Sequence, residues 1–303
     1  MGNRAVEING FTNTVTTDNH ITTRGSSWLF AVTAFMGFSS LVFMGLSFMK
    51  PRTQRLFHYL LAALTLISAI AYFSQGSNLG WTAIEVQWSR SNAKVAGDMR
   101  QIFYVRYIDY FITIPLLLAT LLLTAGLPTP TIWYTLLISE VFVVTRLVGA
   151  LVKSTYKWGF FTFGLSSLFF LLYTIIIEGR AYSRPLGADL TRLYGILSIW
   201  TACILLVYPI IWGVSEGGNV IPLDSEMIAY GILDILTKPI FGAVLLWGLR
   251  NVDLERLGIQ VRDAHEGIAT EPVADEKKTE ADVSAGVVNG GGSGGVATAP
   301  QTV

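Results

Sequence analysis

The chain has 303 residues, of which 52% are hydrophobic and 14% charged, with 21 basic side chains against 21 acidic ones. Soluble domains run near a quarter charged, and here the apolar residues come in long runs with few charges, so a water-exposed globule is excluded. The zero net charge argues against nucleic acid as a partner, and a single cysteine, Cys203, leaves no internal disulfide.

Residues 1–27 are polar and lack an apolar core behind a basic start, so they read as an N-terminal segment rather than a cleavable signal. Seven apolar stretches follow, at 28–49, 57–77, 102–125, 131–152, 159–177, 193–214 and 227–249. Each holds about 20 residues, enough for a helix rising ~1.5 Å per residue to cross ~30 Å of hydrocarbon. Helices satisfy their backbone polar groups internally, as a membrane span requires. The expected fold is therefore all-α, a seven-transmembrane-helix bundle over 28–250. Short connections such as Leu127-Pro128-Thr129-Pro130 make consecutive helices antiparallel neighbours. Residues 251–303 hold 4 basic and 9 acidic residues and a glycine-rich run at 290–295, which predicts a largely disordered tail.

Orientation follows from the flanking cations. Lys50, Arg52, Arg55, Arg180, Arg184, Arg192, Arg250 and Arg256 fall on one side, and Arg24, Arg90, Lys94, Arg100, Lys153 and Lys157 on the other. The bias puts the C-terminus in the cytoplasm and the N-terminus outside an integral membrane protein, with the plasma membrane as its expected location.

Six ionisable residues fall inside the spans: Arg106, Asp109, Glu140, Arg146, Asp234 and Lys238. Each costs at least ~2–3 kcal/mol at mid-membrane unless paired or hydrated, so each is a functional candidate. Asp234 and Lys238 are four apart on one helix face, and Arg106 and Asp109 are three apart on another. A mid-span lysine beside carboxylates can act as an amine nucleophile toward an aldehyde, with Asp109 and Asp234 both available as counterions to the resulting cation.

The third span, Arg106-Tyr107-Ile108-Asp109-Tyr110-Phe111-Ile112-Thr113-Ile114-Pro115-Leu116-Leu117-Leu118, resembles the third helix of microbial rhodopsins, and Leu233-Asp234-Ile235-Leu236-Thr237-Lys238 resembles their retinal-binding helix. Segments 147–153, 156–164 and 208–212 resemble the fungal opsin branch, related to bacteriorhodopsin. The resemblance implies all-trans retinal bound covalently to Lys238 as a Schiff base, with Asp109 as primary counterion and proton acceptor and Asp234 as second counterion. It places Arg106 one turn outward, where it can stabilise either carboxylate, and Thr113 one turn inward, within reach of the Asp109 carboxylate. Tyr110, Leu117, Phe142, Phe161, Gly164, Tyr208 and Trp212 would line the pocket. Tyr72 and Tyr208 would hydrogen-bond Asp234, and Glu216 and Glu226 would stand where the family holds its proton-release carboxylates.

Four positions depart from the family's pump pattern. Thr120 replaces the carboxylic acid eleven residues after the acceptor, and a threonine can relay a proton but not store one. Leu205 stands where a tryptophan usually presses on the polyene, and Thr237 brings a hydroxyl beside Lys238. Arg146 occupies the place of a small residue beside the retinal ring. An unpaired buried guanidinium is costly, so Arg146 must find a carboxylate, snorkel outward or alter the pocket, and Glu140, six residues away, is awkwardly spaced for pairing. Pro115 and Pro239 each permit a kink.

The resulting expectation is a light-activated retinal protein, not an enzyme: a photoreceptor with slow or weak outward proton transfer, or a slow light-driven proton pump. A non-photochemical membrane stress or scaffold protein is a third reading, against which Lys238 argues. Lipid and protons are the expected partners, a homo-oligomer is compatible with the sequence, and no metal is implied.

Overall fold

The computed structural model describes residues 3–10, 17–86 and 98–260. The chain divides into a unit of residues 1–261 and a second of 262–303. The second unit, and with it most of the expected tail, lies outside the described residues, as do the loop cations Arg90 and Lys94.

Seven helices are long and apolar enough to cross a membrane: Thr23–Ser47 (span 1), Leu56–Gly76 (span 2), Tyr104–Thr124 (span 3), Thr129–Leu151 (span 4), Lys157–Leu186 (span 5), Ala188–Gly217 (span 6) and Leu223–Leu249 (span 7). Their order and number match the hydropathy reading. Their ends follow capping chemistry rather than apolarity. Span 1 begins where the Thr22 side chain accepts a hydrogen bond from the Arg24 backbone N–H, satisfying one of the donors left free at a helix start. Span 4 begins with proline in its first turn, where the missing N–H costs nothing. Span 5 was expected to stop at 177 but continues through a wide turn, Thr174–Glu178, and on to Leu186. Charged residues end an apolar run without ending a helix. The stop comes at Gly187, whose φ of 110° lies in a region that L side chains rarely adopt.

Each span packs against the next around the bundle, span 7 closes back on span 1, and span 3 also meets span 6. One cluster of buried side chains runs through the middle, including Tyr110, Leu117, Phe142, Leu205, Tyr208 and Trp212. Large apolar side chains such as Phe38, Leu41, Trp133, Leu137 and Trp247 are exposed on the outside, as hydrocarbon contact requires.

Two local features lie beyond the helical reading. Strands β1 (Thr82–Glu85) and β2 (Met99–Ile102) pair antiparallel, with Thr82 opposite Ile102, and β2 carries a buried Arg100 toward the bundle. The described part of the N-terminal segment folds onto the same end: Ala5–Gly10 is a short helix, Asn3 Nδ2 donates to Ser26 Oγ at 2.8 Å, and Ile21 is fully buried. At the other end the first residues after span 7 are ordered too. Leu254–Leu257 forms a tight turn with both leucines buried, and Arg256 grips Asp189 at 2.5 and 2.8 Å.

Candidate functional site

Lys238 lies in a wide turn of span 7, Leu236–Ile240, followed directly by Pro239. Proline has no N–H to return to the preceding turn, and such widened turns recur at functional sites. The lysine is buried, and its Nζ donates to Asp109 Oδ2 on span 3 at 2.6 Å, to Ser68 Oγ on span 2 at 2.6 Å and to Asp234 Oδ2 on its own span at 3.4 Å. The Ser68 hydroxyl in turn donates a hydrogen bond to Asp109 Oδ1 at 2.8 Å. Asp234 is held differently, by phenols: Tyr72 donates at 2.7 Å, Tyr110 at 3.3 Å, and Tyr208 at close range. One ammonium thus faces two buried carboxylates, and hydroxyl donors spread the surplus negative charge. Donors of this kind are what a buried ion cluster needs if its desolvation is to be offset.

The sequence reading anticipated both aspartates, Tyr72 and Tyr208 here. It did not anticipate Ser68, whose one signal is its place four residues before Tyr72 on the same face of span 2. It also assigned the Asp109 carboxylate to Thr113, whereas the Thr113 hydroxyl donates to the Asp109 backbone carbonyl at 2.8 Å. Threonines inside helices commonly bond the carbonyl one turn back. Thr120 does the same, donating to the Leu116 carbonyl at 2.6 Å while fully buried. The Thr237 hydroxyl donates to the Leu233 carbonyl and lies 3.5 Å from the Tyr208 hydroxyl.

A second ionic cluster sits toward the end of the bundle that carries the hairpin. Arg106 was expected to serve Asp109 or Asp234, but its Nη1 lies 2.6 Å from Glu226 Oε1 and 3.6 Å from Glu216 Oε1. Its guanidinium stacks 4.2 Å from the Tyr230 ring centroid. The reason is on span 7: Glu226 presents a buried carboxylate there, and Arg100 takes its other oxygen at 2.5 Å. Glu216 projects from a wide turn of span 6, Gly213–Gly217, and accepts a hydrogen bond from the Tyr107 hydroxyl. Lys157 Nζ donates to the Glu216 carbonyl at 3.3 Å. Glu216 and Glu226 do come together, and Arg100 completes the cluster from β2, which hydropathy reading treated only as a loop cation.

Between the clusters lies an aromatic box. Phe161 stacks on Trp212 at 5.2 Å, and Tyr110 meets Tyr208 edge-on at 5.5 Å. Leu117, Phe142 and Leu205 are buried around them. Gly164 lets spans 4 and 5 approach, since a Cβ there would stand 2.9 Å from Thr145 Oγ1 and 3.7 Å from Arg146 Cγ. Arg146 neither snorkels nor pairs with Glu140. It is 1% exposed, with its guanidinium carbon 5.0 Å from the Phe142 ring and 5.7 Å from that of Tyr208, and none of its three nitrogens has a hydrogen-bond partner among the described residues. Arg146 therefore stays inside the bundle, within electrostatic range of the Glu216 carboxylate but without a direct bond to it.

Known proteins resemble this chain over most of its length. Residues 23–252 match the family described as bacteriorhodopsin-like protein. The chain is 51% identical to the opsin-like protein carO of Fusarium fujikuroi over 88% of its own length and 87% of that protein. It is 44% identical to protein FDD123 of Trametes versicolor over 86% and 88%. Among solved structures, the light-driven proton pump LR (Mac) from Leptosphaeria maculans superposes with a TM-score of 0.74 at 31% identity, covering 77% of this chain and 99% of that one. With seven spans in the family's order and a buried lysine set between aspartates of spans 3 and 7, the chain belongs to the bacteriorhodopsin-like family of microbial rhodopsins.

Proposed function

We propose that this protein is a light-activated, retinal-binding photoreceptor of the membrane that transfers a proton slowly or weakly outward, from Lys238 Nζ to Asp109. The observation that carries the reading is the 2.6 Å contact between Lys238 Nζ and Asp109 Oδ2. The residues present fit all-trans retinal at the lysine end: a buried primary amine between two carboxylates suits covalent capture of an aldehyde and stabilises the cation that results. The box of Tyr110, Phe142, Tyr208 and Trp212 supplies aromatic walls for a polyene. Retinal, which Lys238 would hold, would supply absorption of visible light and a double-bond isomerisation.

The chain's own groups divide the remaining tasks. Asp234 has its two oxygens taken by three tyrosine hydroxyls, so it serves as a fixed anion. Among the described residues the Asp109 carboxylate has only Ser68 besides the lysine, and it lies nearer, so it accepts the proton. Toward the hairpin end of the bundle, Glu226 of span 7 is gripped by Arg100 and Arg106 at 2.5 and 2.6 Å, and Glu216 of span 6, hydrogen-bonded to Tyr107, is the carboxylate left to hold or release a proton. On the opposite side Thr120 cannot store one, so reprotonation of Lys238 Nζ is slow, which suits a sensor. The excess of flanking cations supports a Glu216 end that faces outside and a C-terminus in the cytoplasm, with the plasma membrane as the location in this reading.

A working pump is the second reading, favoured by the proton-pump description of the Leptosphaeria relative. Two measurements decide. Purified protein given all-trans retinal is expected to develop a visible band that is absent from Lys238→Ala; no band, or one that survives this substitution, overturns retinal binding. Illuminated cells in unbuffered medium are expected to give at most a transient pH change, whereas steady acidification abolished by Asp109→Asn establishes pumping.

A further inference from the structure

The guanidinium of Arg146 is an ion with donors and no acceptor. Nε, Nη1 and Nη2 are all buried without a hydrogen-bond partner, and the faces of Phe142 and Tyr208 give it cation–π contact but nothing to receive an N–H. Two more unused polar groups border the same box. The Tyr230 hydroxyl has no partner, and its ring stacks on Tyr208 at 6.1 Å. The indole N–H of Trp212 has none either. Trp212 stands one turn beyond Tyr208 on span 6, and it packs so closely on Gly149, one turn beyond Arg146 on span 4, that a Cβ there would meet its ring at 3.1 Å. Glu216 Oε1, also without a hydrogen bond, faces Arg106 at 3.6 Å and belongs to the outer cluster. Buried polar groups are nearly always satisfied, and an unpaired buried ion is among the costliest exceptions. What this corner of the box lacks is an acceptor within hydrogen-bonding reach of the guanidinium among the described residues, since the Tyr230 hydroxyl and Glu216 Oε1 feel its charge only from farther off.

We infer that Arg146 reads an oxygen at the far end of the bound chromophore: the ligand class is a polyene aldehyde whose terminus away from Lys238 bears a carbonyl or carboxylate, such as a ring-oxidised retinal. The inference rests on the reading that Lys238 captures a polyene aldehyde. It goes beyond that reading by making the opposite end of the pocket selective. A plain hydrocarbon ring leaves the guanidinium unsatisfied, while an oxygenated ring completes it. A free halide offers the same acceptor chemistry from a different source, so the test separates the two.

The full-length protein, purified without chromophore, is titrated with all-trans retinal and with all-trans 4-oxoretinal, each in chloride and in gluconate. Binding is read from quenching of tryptophan fluorescence, and attachment from borohydride fixation to Lys238 followed by peptide mass. The same titrations are run on Arg146→Gly and on Arg146→Met, which keeps most of the side-chain volume. A charge-assisted hydrogen bond predicts that the native protein binds the oxo compound about tenfold tighter or more, in both salts, and that both variants lose this preference. Equal affinities in the native protein, or a preference retained by Arg146→Met, overturn the inference. So does tight binding of plain retinal that appears only in chloride, which assigns Arg146 to a halide. Fixation of both aldehydes at Lys238 without preference overturns this inference alone. No fixation of either one overturns it together with the retinal reading.

Discussion

Ser68 Oγ and Lys238 Nζ lie 2.6 Å apart, and the same oxygen donates to Asp109 at 2.8 Å. A small hydroxyl on span 2 therefore bridges the only charges that spans 3 and 7 bring into direct contact at this level of the bundle among the described residues. Ser68→Ala leaves Asp109 Oδ1 buried without its donor. The expected cost is about 1–3 kcal/mol of unfolding free energy, read from denaturant or thermal unfolding in micelles. An unchanged midpoint would mean that Ser68 contributes nothing to the cluster.

Glu226 is held by two guanidiniums, so the single variants should differ in severity. Glu226→Gln leaves Arg100 and Arg106 buried with reduced compensation and is expected to destabilise by about 3–5 kcal/mol. Arg100→Gln should cost less, because Glu226 keeps Arg106 at 2.6 Å. A double-mutant cycle on Arg100 and Glu226 should return a coupling of about 0.5–3 kcal/mol. Simple additivity of the two changes would show that the 2.5 Å contact adds no stability.

Thr120 is fully buried, and its hydroxyl is committed to the Leu116 carbonyl at 2.6 Å, so it offers no stored proton. Thr120→Asp supplies one. Recovery after a flash, followed by transient absorption, should speed up on the order of 10²-fold, the usual scale of a positioned acid or base. Unaltered recovery would show that proton return to Lys238 is not limited at this position.

Gly164→Ala drives a methyl group to 2.9 Å from Thr145 Oγ1, and overpacking of this kind costs about 1–3 kcal/mol. The Thr145 hydroxyl bonds only to its own helix, at the Val141 and Phe142 carbonyls, so its removal is cheap. Gly164→Ala combined with Thr145→Ala should therefore recover most of the loss. If the double variant is as unstable as the single, the strain arises elsewhere, at Arg146 Cγ being the next contact.

The bundle was legible in the sequence because hydrocarbon imposes one rule on every span, and seven runs obey it. Lys238, Asp109 and Asp234 were legible for the converse reason, since charge in such a run stands out and helical spacing gives its face. What escaped the sequence was direction. Arg106 shares a helix with Asp109, yet its side chain is drawn the other way by carboxylates on spans 6 and 7, and no spacing within span 3 encodes that pull. Ser68 and Thr113 are both hydroxyls one helical turn from a site residue. Only three-dimensional neighbours decide that the serine reaches the carboxylate while the threonine turns to its own backbone. The hairpin bearing Arg100 was invisible to a reading tuned to long apolar runs.

The wide turn at Leu236–Ile240 has a mechanical consequence. It holds one residue more than a regular helix would use, around the lysine itself, and Pro239 within it has no N–H to close a regular turn. Passing that surplus along span 7 would advance the backbone by about 1.5 Å and rotate it by roughly 100°, without breaking the helix at either end. Such a shift would be a step one residue deep at the point where a chromophore would pull on span 7. Spin labels on the half of span 7 beyond Lys238, along Phe241–Leu249, would record an axial displacement near that step on illumination, and a span that stays still would show that the extra residue is locked.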